Sequence, residues 1–321
     1  MRIARLAAEN PRTQGPERRA WYRRHSPEHP RTVAALVEDG LRTRHTEAAP
    51  RVVVLGAGAC TELPLERLAR GSQSMLLVDV DVPGMARARD ELPNALRPRV
   101  DLLQADLSGG VSDALAADLA AQPWDDLARL GSRAPLDAAA GCIERCPVPD
   151  PPRIPQLAAG SYDLVISSLV LTQLFSLPLL DVVDALAYHA AGVADLREAH
   201  SRYREAAQGL RRRIVLAHLA LLESLLAPDG VALLMSDRTG YLLPPTSGPH
   251  LRDPREELPL LPPAVLDLPA DLAARFELAG PVRNWEWLVT APGATTPGRL
   301  YDVFGVVLRR RERGAGQDTR A

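Results

Sequence analysis

The sequence predicts an α/β fold: a doubly wound, mostly parallel seven-stranded sheet with an antiparallel C-terminal strand pair, a helical N-terminal segment and helical insertions. Three features carry this. Apolar runs of strand length near 51 to 55, 75 to 80, 99 to 104, 162 to 168 and 230 to 236 alternate with helix-forming stretches, the pattern of parallel strands joined by crossover helices. The first run, Arg51-Val52-Val53-Val54-Leu55, passes directly into Gly56-Ala57-Gly58, and the second, Met75-Leu76-Leu77-Val78, ends in Asp79. The last two apolar segments, 282 to 290 and 300 to 308, are separated by a stretch that opens Ala291-Pro292-Gly293 and is too short for a crossover helix, so they pair antiparallel.

Taken in order, residues 1 to 45 read as a helical cap or lid made of short helices separated by turns. Up to residue 44 this segment holds ten Arg against five acids, and Trp21 and Tyr22 are flanked by Arg18, Arg19, Arg23 and Arg24. Two roles suit it: a lid over a ligand cleft, or a solvated cap whose aromatics pack on the main domain. Residues 46 to 308 form that domain. After its first strand Thr61 is placed to cap a helix, Pro64 to sit in its first turn, Leu65 and Leu68 to face the sheet, and Gly71 to end it. An insertion over 107 to 160 holds helices near 111 to 121 and 124 to 130. It then runs through Cys146-Pro147-Val148-Pro149-Asp150-Pro151-Pro152-Arg153-Ile154-Pro155, which reads as an extended surface connector. A second, helical insertion over 172 to 210 carries Tyr188, His189, His200 and Tyr203, followed by the amphipathic run Ile214 to Leu226 and the turn Pro228-Asp229-Gly230. The polar tail from 309 to 321 is expected to be disordered.

Composition narrows the function. A length of 321 residues with 46% hydrophobic content is enough for a full core. A formal charge of −2 gives no global attraction to nucleic acid or anionic lipid, and no apolar stretch reaches the roughly 18 uninterrupted residues of a spanning helix, so neither nucleic acid nor membrane is expected as a partner. Cys60, Cys142 and Cys146 make no disulfide framework, which points to a reducing cytoplasm, and no nearby Cys or His completes a zinc set around them, so no metal is expected. All 38 basic residues are Arg, which rules out lysine as Schiff-base former or general base.

The glycine turn lets backbone approach a ligand closely, and a carboxylate at the tip of the next strand accepts hydrogen bonds from ribose hydroxyls, so the pair predicts an adenosine-containing cofactor. With Asp106-Leu107 after the third strand and Ser167-Ser168-Leu169 at the end of the fourth, the chain from about 50 to 308 resembles the class I S-adenosylmethionine-dependent methyltransferases. The resemblance implies S-adenosyl-L-methionine as cofactor. It implies that Gly56, Ala57 and Gly58 hold the methionine half, Asp79 the ribose, and Asp106 and Leu107 the adenine, while Ser167 and Ser168 border the reacting methyl. Two places depart from the family pattern: Val54 stands where an acid is usual, and Cys60 where a third glycine is usual. Contacts to the methionine amino group then fall to Thr61 and Glu62. Asp81 competes with Asp79 for the ribose, and family spacing favours Asp79.

Methyl transfer needs an acceptor held in line and, where the acceptor must lose a proton, a base. Candidate bases or acceptor contacts are Tyr188, His189, His200 and Asp237, and candidate substrate contacts are Gln173 and Trp285. Gln173 serves equally well as a cap for the following helix. Trp285 and Trp287 alternate with Glu286, so both rings face one side of the sheet, as core or as an aromatic wall. The acceptor is expected to be a small molecule or short peptide. Three alternatives share parts of this site: an aminocarboxypropyl transferase using the same cofactor, an NAD-dependent oxidoreductase, and a non-catalytic cofactor-binding protein.

Overall fold

The computed structural model describes residues 16–44, 46–190, 192–246, 256–257, 268–293 and 295–311; the expectations for residues 1 to 15 and for the tail beyond 311 fall outside these. The strands are β1 (Arg51–Leu55), β2 (Ser74–Asp79), β3 (Val100–Gln104), β4 (Tyr162–Ser168), β5 (Leu226–Leu243), β6 (Glu256–Glu257), β7 (Phe276–Leu278), β8 (Arg283–Thr290) and β9 (Gly298–Arg310). The helices are α1 (Pro16–His25), α2 (Glu28–Thr43), α3 (Leu65–Gly71), α4 (Val82–Asp90), α5 (Val111–Ala120), α6 (Trp124–Arg129), α7 (Arg133–Arg145), α8 (Leu171–His189), α9 (Ser201–Leu225) and α10 (Leu268–Ala273).

The sheet runs β3-β2-β1-β4-β5-β9. The first five strands are parallel, β9 is antiparallel to β5, and β8 is antiparallel to β9. These are the seven expected strands in the expected senses. Two short ones, β6 on β5 and β7 on β9, bring the sheet to nine strands. The inner strands are apolar throughout because both faces are covered: Val52 to Leu55 are all buried. β5 is much longer than expected. Opposite Tyr162 and Leu164 its pairing skips from Leu226 to Val231, so Pro228-Asp229-Gly230 lies in an irregularity of the strand, and a second shift between Asp237 and Thr239 precedes an arm that pairs with β9 as far as Leu243.

One face of the sheet packs against α2, α3 and α4, the other against α5 through α9. In α2, Val33, Leu36, Val37 and Gly40 recur at helical spacing and are buried. Gly305 of β9 meets this helix at close range: a Cβ added there would collide with Leu36 Cδ1 and lie 3.2 Å from the Trp285 ring. The second half of the expected N-terminal cap is therefore a sheet-covering helix, and α1 alone reaches the ligand-binding edge.

The sequence reading contained no helix at α7, where Leu136, Ala139, Ala140 and Ile143 form a buried stripe at helical spacing. The Pro-rich connector after it has neither helix nor strand, yet it is pinned to the core through Cys146, Ile154 and Leu157 rather than lying wholly on the surface. By length and apolar content α8 would suffice to cross a bilayer, a point the sequence reading excluded; here Leu171, Leu174, Phe175, Leu179, Val182 and Leu186 pack into the core beneath α9. β9 extends to Arg310, two residues into the expected tail.

Candidate functional site

Parallel sheets bind ligands at the carboxyl ends of their strands, and the glycine turn and strand-end acids read from the sequence gather there. Gly56 and Gly58 have φ of +73° and +47°, conformations that glycine adopts without steric cost. The Gly56 and Ala57 amides donate to the Val78 carbonyl, which ties the turn to the end of β2. Asp79 Oδ2 accepts from the Gly58 amide and its Oδ1 from the Asp81 amide, both at 2.9 Å. Each oxygen keeps a lone-pair direction for a further donor. Burial pushes the Asp79 carboxyl above the usual carboxylate range, against the pull of those two amides. Asp81 is committed elsewhere: it caps α4, its Oδ1 accepting from the Gly84 amide at 2.9 Å, and it is buried. Of the two acids, Asp79 is the one held against the glycine turn.

Asp106 Oδ1 accepts from the Ser108 amide, and its Oδ2 accepts from the Ser108 hydroxyl and the Gly110 amide, each at 2.8 Å. Three of about four acceptor positions are thus used to shape the loop after β3. Asp79, Asp106, Leu107, Val170, Gln173, Leu174 and Leu177 line a cavity of about 70 Å³. Gln173 donates to the Leu169 carbonyl at 3.0 Å, so its amide is bonded back onto the start of its own helix while facing this cavity. The residues fit an adenosine group. A Cβ added to Gly58 would meet nothing nearer than Asp79 Oδ2 at 4.0 Å, so backbone and carboxylate present a face clear of side chains, and the acceptor set suits a ribose diol.

The loop beyond Gly58 departs from the expectation of a helix opening at Thr61. Cys60 takes φ +50° and is buried, so the place of the family's third glycine keeps a glycine-like conformation with a thiol packed inward. α3 begins only at Leu65, with Pro64 as the residue before it and no side-chain cap. Thr61 instead donates to Glu62 Oε1 at 2.6 Å. Burial raises the Glu62 carboxyl, and Arg18 and Arg19 of α1 lie close enough to counter that. Arg19 reaches the Cys60 carbonyl and pairs with Glu91, and Arg18 donates to the Val289 carbonyl while lying 4.6 Å above the Tyr22 ring. α1 therefore bridges the glycine loop and β8.

Several candidates stand elsewhere. Ser167 lies in register with Leu55 and Leu234 on the α9 side of the sheet, fully buried, with Oγ 2.9 Å from His218 Nε2; it belongs to the core rather than to the cofactor edge. Ser168, in register with Met235, faces the opposite side at the strand end. Tyr188 and His189 close α8, roughly 24 Å along the helix from Gln173 at 1.5 Å per residue. Tyr188 is 85% exposed and His189 stacks on Trp124. His200 caps α9 by accepting from the Tyr203 amide and faces Asp137. Trp285 is buried beneath α2 and donates from Nε1 to His29 Nδ1 at 2.8 Å. Ser167, His189 and Trp285 thus serve packing and His200 serves capping, while the length of α8 carries Tyr188 and His189 away from the edge where that helix starts.

Asp237 remains at the edge. Thr172, the second residue of α8, donates to its Oδ1 at 2.6 Å, and burial raises its carboxyl. Thr172, Tyr22, Arg18 and Tyr301 were not among the sequence candidates. Thr172 follows β4 directly, and that adjacency was the available signal; contacts from α1 carry none, being tertiary.

No family profile matches the sequence, and no curated protein matches it. Among solved structures the chain is similar to an S-adenosylmethionine-dependent methyltransferase from Aquifex aeolicus, at 13% identity over 92% of this chain and 97% of that one, with a TM-score of 0.38. It is also similar to the YcgJ protein of Bacillus subtilis, at 11% identity over 87% and 99%, TM-score 0.41. A third is Haemonchus contortus phosphoethanolamine N-methyltransferase 1 in complex with phosphoethanolamine and S-adenosylhomocysteine, at 11% identity over 95% of this chain and 51% of that one, TM-score 0.40. The strand order β3-β2-β1-β4-β5-β9 with antiparallel β8 beyond it, the glycine turn after β1 and the acid it holds after β2 together give this chain the fold of the class I S-adenosylmethionine-dependent methyltransferases.

Proposed function

We propose that the protein transfers a methyl group from S-adenosylmethionine to a small-molecule or short-peptide acceptor. The observation that carries the reading is Asp79, oriented by the Gly58 and Asp81 amides beside a glycine turn that leaves the approach to it clear. Gly56, Ala57 and Gly58 admit the methionine half, Asp79 receives the ribose hydroxyls, and Asp106 keeps one acceptor position for the adenine amino group. Glu62, with Thr61 bonded to it, is the acid nearest the glycine turn on the α1 side and the candidate partner of the methionine ammonium. When bound, the cofactor supplies a methyl already activated on a sulfonium. The chain has then to position the acceptor, exclude water and receive a proton where the acceptor carries one. Ser168 and Thr172 border the place where the acceptor would enter.

Titration calorimetry with S-adenosylmethionine, S-adenosylhomocysteine and NADH tests the cofactor. Binding of the first two without the third is expected, and a preference for NADH would favour an oxidoreductase. Incubation with a cell extract and methyl-labelled cofactor, read by mass spectrometry, tests the transfer: a label gained as methyl supports it, and gain of the aminocarboxypropyl group would redirect the assignment.

A further inference from the structure

Three acids stand at the ligand-binding edge on the α1 side or beside the glycine turn, and they differ in what balances them. Asp79 is held by two amides from other residues, and Glu62 has Arg18 and Arg19 nearby. Asp237 accepts from the Thr172 hydroxyl and its own backbone amide and, among the described residues, forms no ion pair. A carboxylate withdrawn from water without a cation costs several kcal/mol, and such a site is ordinarily completed by a proton or a positive group.

Its surroundings select the kind of group. Asp237 is in register with Val303, and Tyr301, two residues before Val303, projects from the same face of β9. Trp287, opposite Tyr301 on β8 with ring centroids 6.0 Å apart, is itself packed against the first two helices, 5.9 Å from Tyr22 and stacked on His29 at 4.5 Å. Of these rings Tyr301 is the one that adjoins Asp237; an aromatic ring attracts cations, and together with an unpaired carboxylate it disfavours an anionic guest.

We propose that Asp237, with Tyr301 beside it, is the head-group subsite of the methyl acceptor and that this acceptor is a primary or secondary amine entering as its ammonium ion. The assignment rests on the methyl-transfer reading and names the acceptor class for that same site. An ammonium ion supplies the charge that Asp237 lacks, whereas a hydroxyl supplies a donor without charge and a carboxylate adds repulsion. The ion cannot attack while its lone pair holds a proton. Passing that proton from nitrogen to the Asp237 carboxylate leaves a neutral amine and a neutral carboxyl, and a buried setting favours that exchange because it removes two charges. The raised carboxyl of Asp237 acts in the same direction. Thr172, bonded to Oδ1, is a positioning residue that fixes the carboxylate plane.

Calorimetry on the S-adenosylhomocysteine-loaded protein tests this with benzylamine hydrochloride and its neutral isostere benzyl alcohol. The amine should bind about tenfold or more tightly than the alcohol, the difference expected for a charge-assisted hydrogen bond to a half-buried carboxylate. Asp237→Asn, which keeps the shape and the Thr172 bond, should remove that preference and leave S-adenosylhomocysteine affinity unchanged. Equal binding of the two probes, or binding of neither, would overturn the assignment with the wild-type protein alone. A loss of S-adenosylhomocysteine affinity in Asp237→Asn matching the loss of amine would transfer Asp237 to the cofactor and overturn it too. Failure of the wild-type protein to bind S-adenosylhomocysteine would instead bring down the methyl-transfer reading beneath it.

Discussion

Two aspartates two residues apart divide the work after β2. Replacing Asp79 by Ala removes the acceptor that the glycine turn presents and should weaken S-adenosylmethionine binding by about 1.5 to 3 kcal/mol in calorimetry. Replacing Asp81 by Ala removes the α4 cap instead, which should cost ~1 kcal/mol of stability and change cofactor affinity less. Equal affinity losses would show that the caps and the ligand share one carboxylate pair. At Cys60, burial drives the thiol far above its ordinary range, with Glu62 and Asp79 adding to the effect. The prediction is that iodoacetamide leaves Cys60 untouched in the folded protein at pH 8 and alkylates it on unfolding. Native-state labelling would mean that the loop opens readily. His29 and His218 are buried and held neutral by desolvation, down to about 3 and about 4 respectively. Because the folded state resists the proton that the unfolded state accepts, each contributes stability that is full above about pH 6.5 and is lost as pH falls toward its folded value. The slope is about 1.4 kcal/mol per pH unit for each histidine. The raised carboxyls of Asp79, Glu62 and Asp237 act in the opposite sense, so the test is differential: His218→Leu should lower the acid-side slope of urea-derived stability by about one proton. An unchanged slope would remove His218 from the account.

At the scale of elements, α1 and α2 differ in kind although both precede β1. α2 is cover for the sheet, seated against Trp285 and Gly305, and Gly305→Ala forces Leu36 and the indole apart. That overpacking should destabilise the protein by about 1 to 3 kcal/mol, read as a fall in thermal midpoint. α1 is attached through Arg18, Arg19 and the Ser26 hydroxyl, which accepts from the Leu288 amide. A chain starting at Glu28 should therefore fold, with faster hydrogen exchange in residues 56 to 63 and 285 to 289. A chain starting at residue 46 should not fold, since the core around Val33, Leu36 and Val37 is then missing. Unaltered exchange in the shorter deletion would show that α1 rests on the edge without restraining it. Sequence periodicity foresaw the parallel strands and most helices because buried strands are apolar throughout and helical stripes repeat. It missed α7, whose stripe is built largely of alanines between a long insertion's prolines and polar residues. It also misplaced the start of α3, where Thr61 has a capping residue's chemistry but the loop is drawn onward by Cys60 and Glu62.

Over the whole molecule, the candidate cofactor edge, the glycine turn bonded to the acid after β2, was legible because turn glycines and strand-end acids are local signals, each fixed by the residues beside it. The proposed acceptor side was not, because α1, the start of α8, the end of β5 and the last two strands meet only in the fold, and no short window holds them. Tyr188, His189 and His200 attracted notice as chemistry-bearing side chains in an insertion, yet a long helix removed two of them from the edge and capping occupied the third.

The bond from Trp285 to His29 joins residues 256 positions apart. A ribosome adding 5 to 20 residues each second separates their appearance by on the order of 10 to 50 s. During that interval α2 has emerged with its apolar stripe and without the strands that hold Trp285 and Gly305. Completion of this face thus waits on the synthesis of β8 and β9, and the apolar stripe of α2 stays without its partners until they are made.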